Sequence, residues 1–178
     1  IDSEGQSFPR LLDWWVSENK KNRHLWPGIA TDRVGDQRPA SEMTKQIDLI
    51  RKIKKGYPGH AHWSANSVIN NQKGVQTLLK KKTYAAPAIV PPSKWLGSKA
   101  PAKPTLLLTP RGDRLMLQLA PQENIRFWLL QTKTNKGWKS QLLDGTQDTF
   151  ELELTDAIAV SALGYTGLLS KKARYEFE

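Results

Sequence analysis

The first half of the chain alternates between helical periodicity and short apolar runs that end in polar residues. Apolar residues at helical spacing predict a helix over 8–19, and two short runs predict strands over 24–30 and 60–63. Between these strands, apolar residues recur at intervals of three and four from Met43 to Ile53, which predicts a second amphipathic helix. Strand, loop and helix therefore follow one another twice, and connections of this length favour parallel strands.

Capping and turn signals set the ends of these helices. Ser41 is the expected N-cap of the second helix, because a serine hydroxyl can accept a hydrogen bond from the N–H groups of the first turn. Gly56 and Pro58 end that helix before the second strand. Further helical stretches are predicted after Ser64 and after Gly74.

The pattern changes at residue 85. Residues 85–104 show little periodicity and contain five prolines, which predicts a semi-rigid connector in which Trp95 anchors two domains against each other. From Thr105 onwards the hydrophobic period becomes two, and turn signals separate seven short segments, which is typical of a small β-sandwich. The predicted strands are 106–108, 114–119, 125–131, 138–142, 149–154, 158–162 and 174–177.

Composition narrows the classes of function. The chain is 38% hydrophobic and 25% charged, as in globular proteins. No apolar run approaches the roughly 20 residues of a membrane span, and no signal peptide is visible. Membrane insertion is therefore not expected. The absence of cysteine excludes disulfides, thiolate catalysis and cysteine-ligated zinc. Three histidines are too few for a convincing metal site, so neither a metal nor another cofactor is expected.

Positive charge is concentrated in the first half of the chain. The formal net charge is +10, and residues 1–96 carry 16 Lys and Arg against 8 Asp and Glu. This surplus suits an anionic partner, although a run such as Lys80–Lys82 is also typical of a solvated helix surface. Nucleic-acid binding is not expected, because no known nucleic-acid signature accompanies the lysines.

Four stretches carry a resemblance to a known family. Their order and spacing resemble the end of the glycosyl-hydrolase-like family 10 enzymes, bacterial envelope proteins related to α/β-barrel glycosidases. The second half resembles a fibronectin type III-like module through IAVSALG at 158–164, although Ile158 stands where that fold often has a tyrosine. The stretches that carry the first resemblance are LDWW at 12–15, RHLWPGI at 23–29, GHAHWS at 59–64 and YAAPAIVP at 84–91.

The resemblance implies an α/β part followed by an all-β part. Residues 1–96 would supply the last two βα units of a (β/α)8 barrel, 97–104 would be a linker, and 105–178 would form a seven-stranded fibronectin III-like β-sandwich. Members of the family are thought to cut bacterial glycans, including peptidoglycan strands stripped of their peptides. The resemblance therefore implies a glycan partner and a location in the cell envelope, periplasmic or on the surface.

Glycoside hydrolysis normally needs two carboxyl groups that flank the scissile bond. Asp32, directly after the first strand, is the best-placed candidate for a catalytic carboxylate, and Asp36 is the second. An ion pair with Arg33 or a loop cap accounts equally well for Asp32. The acid and base are expected on earlier strands upstream of Ile1, so the chain alone is expected to hydrolyse nothing.

Substrate contact is the better-supported role for the two strand ends. Trp26 and Trp63, predicted at corresponding positions of the two strands, could stack on sugar rings or could fill the barrel core. Arg23 and Arg33 could pair with the carboxylates of an acidic glycan.

Two histidines and the β-sandwich leave further alternatives open. His60 and His62 lie on one face of the second strand and could hydrogen-bond a sugar, position a carboxylate or form hydrogen bonds within the core.

The chain could instead be a carbohydrate- or protein-binding module that uses Trp128 and Trp138, although Trp128 fits the sandwich core better. Two βα units alone would expose strand edges, which predicts self-association or packing against the sandwich through Trp95.

Overall fold

The computed structural model describes residues 7–35, 38–53, 58–86 and 88–177. The chain forms two compact units, Ile1–Pro91 and Pro92–Glu178. The boundary lies inside the proline-rich segment, in which the described residues form neither helix nor strand. No helix in the described ranges is long and apolar enough to cross a membrane.

The first unit combines helices with a two-stranded parallel sheet. Gly28 pairs with Ala61 and Ala30 with Trp63, which confirms the predicted parallel arrangement. Short 3-10 turns at Thr31–Arg33 and Gln72–Gly74 and a π-helical turn at Leu79–Thr83 complete the unit. Its regular elements are α1 (Phe8–Glu18), β1 (Gly28–Ala30), α2 (Ala40–Arg51), β2 (Ala61–Trp63), α3 (Ala65–Ile69) and α4 (Val75–Leu78).

The helices of this unit cover one face of the sheet. Ile29 of β1 is fully buried and packs with Leu12 of α1 and with Met43, Ile47 and Ile50 of α2. The apolar stripe predicted along α2 is therefore the face that forms the core. Side chains alternate between the two faces of a strand, so the neighbours of Ile29 point away from this core.

Two local predictions for this unit are wrong. The strands begin at Gly28 and Ala61 rather than at residues 24 and 60, because Pro27 has no N–H to donate to the ladder. Ser41 is not the N-cap, since α2 already begins at Ala40. Pro39, with a φ of −68° and an extended ψ, occupies the cap position.

The second unit consists of two antiparallel sheets. One sheet has the strand order β3-β4-β7 and the other the order β6-β5-β8-β9. The strands are β3 (Leu106–Arg111), β4 (Arg114–Leu119), β5 (Ile125–Thr134), β6 (Gly137–Asp144), β7 (Thr149–Glu153), β8 (Ala157–Gly164) and β9 (Ala173–Glu176). Each segment for which the sequence predicts a strand overlaps one of them.

Alternating side chains of both sheets form one core in this unit. Leu115, Leu117 and Leu119 of β4 meet Trp128 and Leu130 of β5, and all five are buried. The period of two in the sequence is thus the inward-facing register of the strands.

The first hairpin of the sandwich is tighter than its turn signal suggests. The sequence places a turn over 110–113, but Pro110 belongs to β3 and pairs with Leu115. Proline is tolerated there because β3 lies at the edge of its sheet, and only Gly112, with a φ of +61°, and Asp113 connect the strands.

Candidate functional site

The carboxyl-terminal edge of the two-stranded sheet carries one large exposed aromatic side chain. Trp63 ends β2, pairs with Ala30 at the end of β1, and is 72% exposed. Its side chain points to the face opposite Ile29, where Gly28 and Ala61 are also exposed, so no other described residue covers this face of the sheet. The peptide bond that joins Trp63 to Ser64 is cis. An exposed indole on a bare sheet face offers a broad apolar surface to a planar or ring-shaped ligand.

Asp32 and Arg33 lie at the same edge of the sheet. Both are exposed in the 3-10 turn Thr31–Arg33 that directly follows β1. Within the described residues, ion pairs join Lys20 to Glu18 and Arg174 to Glu176, so Asp32 and Arg33 do not pair with each other. Asp36, the second carboxylate candidate, lies outside the described residues.

Trp26 and Arg23 lie at the opposite edge. Trp26 precedes β1, and a Cβ atom added to Gly59 would come within 2.6 Å of the indole Nε1, so the indole packs closely on the backbone that leads into β2. The prediction that Trp26 and Trp63 occupy corresponding positions is wrong, because the register pairs Trp63 with Ala30. Arg23 is on the same loop as Trp26, where its backbone exchanges hydrogen bonds with the Asn19 side chain.

His60, directly before β2, and His62 of β2 share one face, as predicted, but it is the face covered by the helices. His62 pairs with the buried Ile29, and paired residues of neighbouring parallel strands point to the same side. Both Nε2 atoms approach the hydroxyl oxygen of Tyr84, at 2.5 Å from His60 and 2.7 Å from His62. The two rings are 5.3 Å apart and lie edge to face. The structure therefore brings the two histidines together, but not beside Trp63.

Hydrogen-bonding contacts link His62 to both of its neighbours. The hydroxyl oxygen of Thr31 lies 2.8 Å from Nδ1 of His62 and 3.2 Å from the carbonyl oxygen of Ile29. Nε2 of His62 and Nε2 of His60 both contact the hydroxyl of Tyr84, which can donate to one imidazole and accept from the other. Thr31 is fully buried, so these contacts connect the histidines to the residue that begins the turn at Asp32.

Both imidazoles are neutral at neutral pH. Burial, the neighbouring His62 and the guanidinium of Arg51 lower the pKa of His60 from 6.5 to about 4. Burial also lowers the pKa of His62 and raises that of the Tyr84 hydroxyl. Arg51 is held in place by a hydrogen bond from its guanidinium to the carbonyl of Thr83, at 2.7 Å. This cluster therefore lies on the face of β2 opposite the Trp63 side chain.

Sequence reasoning missed Tyr84, Thr31 and Arg51 as members of this cluster. Tyr84 is the first residue of the stretch YAAPAIVP, which carries part of the family resemblance. Its place in that stretch was the one sequence signal that could have indicated its importance. The described residues contain no group of three or more His, Cys, Asp or Glu side chains that could hold a metal ion.

The two tryptophans considered in the sandwich differ in exposure. Trp128 is 1% exposed, and its indole N–H donates to the carbonyl of Gln147 at 3.0 Å, so it belongs to the core as expected. Trp138 is 44% exposed, with the guanidinium of Arg174 5.6 Å from its ring centre. One face of Trp138 is thus occupied by a cation.

Comparisons with known proteins point to glycoside hydrolases. The glycosyl hydrolase YngK of Bacillus subtilis is 34% identical over 113 residues, which cover 60% of this chain and 22% of that protein. The chain therefore spans about a fifth of the length of this relative. No protein-family model matches the chain. About three fifths of this chain is thus similar in sequence to part of a glycosyl hydrolase.

Similar solved structures fall into two groups. The spore cortex lytic enzyme SleM of Clostridium perfringens is 14% identical, with 44% of this chain and 28% of that chain covered and a TM-score of 0.37. The FN3 domain of human collagen XX is 16% identical, with 52% of this chain and 100% of that chain covered and a TM-score of 0.36. TM-scores of this size do not establish a shared fold.

Proposed function

We propose that the first unit is the last two βα units of a (β/α)8-barrel glycoside hydrolase, similar to the glycosyl-hydrolase-like family 10 enzymes. The identity to YngK over about a fifth of that protein's length supports the relationship. The two parallel strands, covered by helices on one face only, fit two neighbouring strands of a barrel, which carries helices on its outside. The second unit is the fibronectin III-like sandwich that follows the barrel.

The exposed indole of Trp63 is the observation that carries this proposal. In barrel enzymes the chemistry lies at the carboxyl-terminal edge of the strands, and Trp63 ends β2 on the face that would line the barrel. Its ring would stack on a sugar of the substrate. Asp32 and Arg33 at the same edge would contact polar groups of the glycan, whereas Trp26 at the opposite edge would not.

The proposed substrate is a bacterial glycan of the cell envelope, with denuded peptidoglycan strands as the first candidate. Hydrolysis needs a pair of carboxyl groups, but Asp32 is the one described carboxylate that directly follows β1 or β2. In this proposal the acid and the base therefore lie on earlier strands of the barrel. Arg33 could pair with a carboxylate on the glycan.

The test is the substitution Trp63→Ala in the full-length polypeptide that contains this chain. Stacking that removes about 80 Å² of apolar surface from water is worth about 2 kcal/mol, so kcat/KM for release of reducing ends from glycan strands should fall roughly 30-fold. Trp14→Ala is the matched control, because Trp14 is an equally large side chain, 57% exposed, on the helix α1.

Trp14→Ala should leave kcat/KM within about twofold of the unsubstituted enzyme, since it removes no substrate contact. Equal losses in both variants would contradict the role of Trp63 but not the hydrolase assignment. Failure of the unsubstituted full-length polypeptide to cut denuded strands or any other bacterial glycan would contradict the assignment itself.

A further inference from the structure

A groove of about 590 Å³ opens in the second unit. Three segments line it: 99–102 before β3, 122–124 between β4 and β5, and 164–166 between β8 and β9. Loops at one end of immunoglobulin-type sandwiches commonly bind ligands, and small-molecule sites have volumes of roughly 300 to 1,000 Å³. The groove therefore lies at a ligand-binding end of such sandwiches and has a volume within the range of small-molecule sites.

One wall of the groove carries an exposed aromatic ring. Tyr165 is 68% exposed and directly follows the buried strand β8, which holds its backbone in place. The segment before β3 approaches this strand closely, since a Cβ added to Gly164 would lie 3.3 Å from the ring of Pro101. The ring of Tyr165 thus stands on a rigid base and offers an apolar face to the solvent.

Beside the apolar side chains of 100–102, the groove carries polar side chains without a hydrogen-bond partner among the described residues. Gln122 and Asn124 contribute amides and Thr166 a hydroxyl, and no side-chain hydrogen bond between described residues engages any of the three. Lys99 and Glu123 carry opposite charges, so the groove has no net charge. It offers hydrogen-bond donors and acceptors beside an aromatic face, without attraction for a polyanion.

We propose that this groove binds a neutral oligosaccharide, with a pyranose ring stacked on Tyr165 and its hydroxyl groups bound by Gln122 and Asn124. A sugar ring combines an apolar face with many hydroxyls, which matches one aromatic side chain surrounded by free amides. The site lies in the second unit, so the inference does not depend on the hydrolase assignment of the first.

The test is a titration of the ¹⁵N-labelled 178-residue chain with chitotetraose and with cellotetraose, followed by amide chemical shifts. The expected shifts lie at residues 122–124 and 164–166, with a dissociation constant in the range of about 0.1 to 10 mM. Tyr165→Ala should weaken binding at least about tenfold, and Gln122→Ala about threefold. Tyr175→Ala, which removes a half-exposed tyrosine of β9 outside the groove, should leave binding unchanged.

Three outcomes would overturn the proposal. The first is the absence of shifts at these residues with both sugars. The second is shifts that survive in Tyr165→Ala, because the ring would then not be the platform. The third is stronger binding of heparin than of the neutral sugars at the same residues, since the groove would then be a polyanion site.

Discussion

At the scale of single residues, the sheet of the first unit separates two kinds of chemistry. Trp63 stands exposed on the bare face, whereas His60 and His62 point to the opposite face and share the hydroxyl of Tyr84. The alternation of side chains along a strand explains the separation, because residues 60 and 62 face one side and residue 63 faces the other. Residues that lie next to each other in the stretch GHAHWS therefore have their side chains on opposite faces of the sheet.

The lowered pKa of His60 predicts that stability depends on pH. The pKa is about 4 in the folded chain and 6.5 without this environment, so between these values protons bind more to the unfolded chain. The free energy of unfolding therefore has its full value above about pH 6.5 and falls by about 1 to 2 kcal/mol as the pH drops towards 4. The loss is no larger because water screens the half-exposed ring. Urea unfolding followed by methyl signals of Ile47 and Ile50 measures it.

The control for this pH dependence is the double variant His60→Gln/His62→Gln. Glutamine keeps a hydrogen-bonding group at each position but does not titrate, so the variant should lose the part of the slope that the histidines cause. The same slope in the variant and in the unsubstituted chain would mean that carboxylates alone produce it.

At the scale of elements, α2 is the principal contribution to the core of the first unit. Met43, Ile47 and Ile50 of this helix are buried against β1, and the spacing of these residues in the sequence predicts the buried face correctly. The start of the helix could not be predicted as well, since Ser41 and Pro39 both fit near an N-terminus and only the backbone conformation decides between them.

The buried face of α2 predicts a large effect of one truncation. Ile47→Ala should lower the free energy of unfolding of the first unit by about 3 kcal/mol, because it leaves a cavity in a closed core. Ile69→Ala is the matched control: Ile69 is 68% exposed on α3, so the change should stay within about 0.5 kcal/mol. Urea unfolding of both variants measures the difference, and similar losses would contradict the described core.

At the scale of the whole molecule, the sequence predicts the second unit better than the first. Strands such as Arg114–Leu119 follow from a period of two within six residues, and this signal is local. The site of the first unit depends on pairing between distant segments. The register that matches Ala30 with Trp63 and the approach of Tyr84 to His62 join residues more than 20 positions apart, which no local pattern encodes.

The proposed function divides hydrolysis between two parts of the polypeptide. In this proposal the exposed Trp63 of the first unit would contact the substrate, and the paired carboxylates that hydrolysis needs would lie on earlier strands of a barrel. The most direct test measures the release of reducing ends from denuded peptidoglycan strands by the 178-residue chain and by the full-length polypeptide, side by side. Release by the full-length polypeptide alone is the expected result. Release by the 178-residue chain at a comparable rate would contradict it.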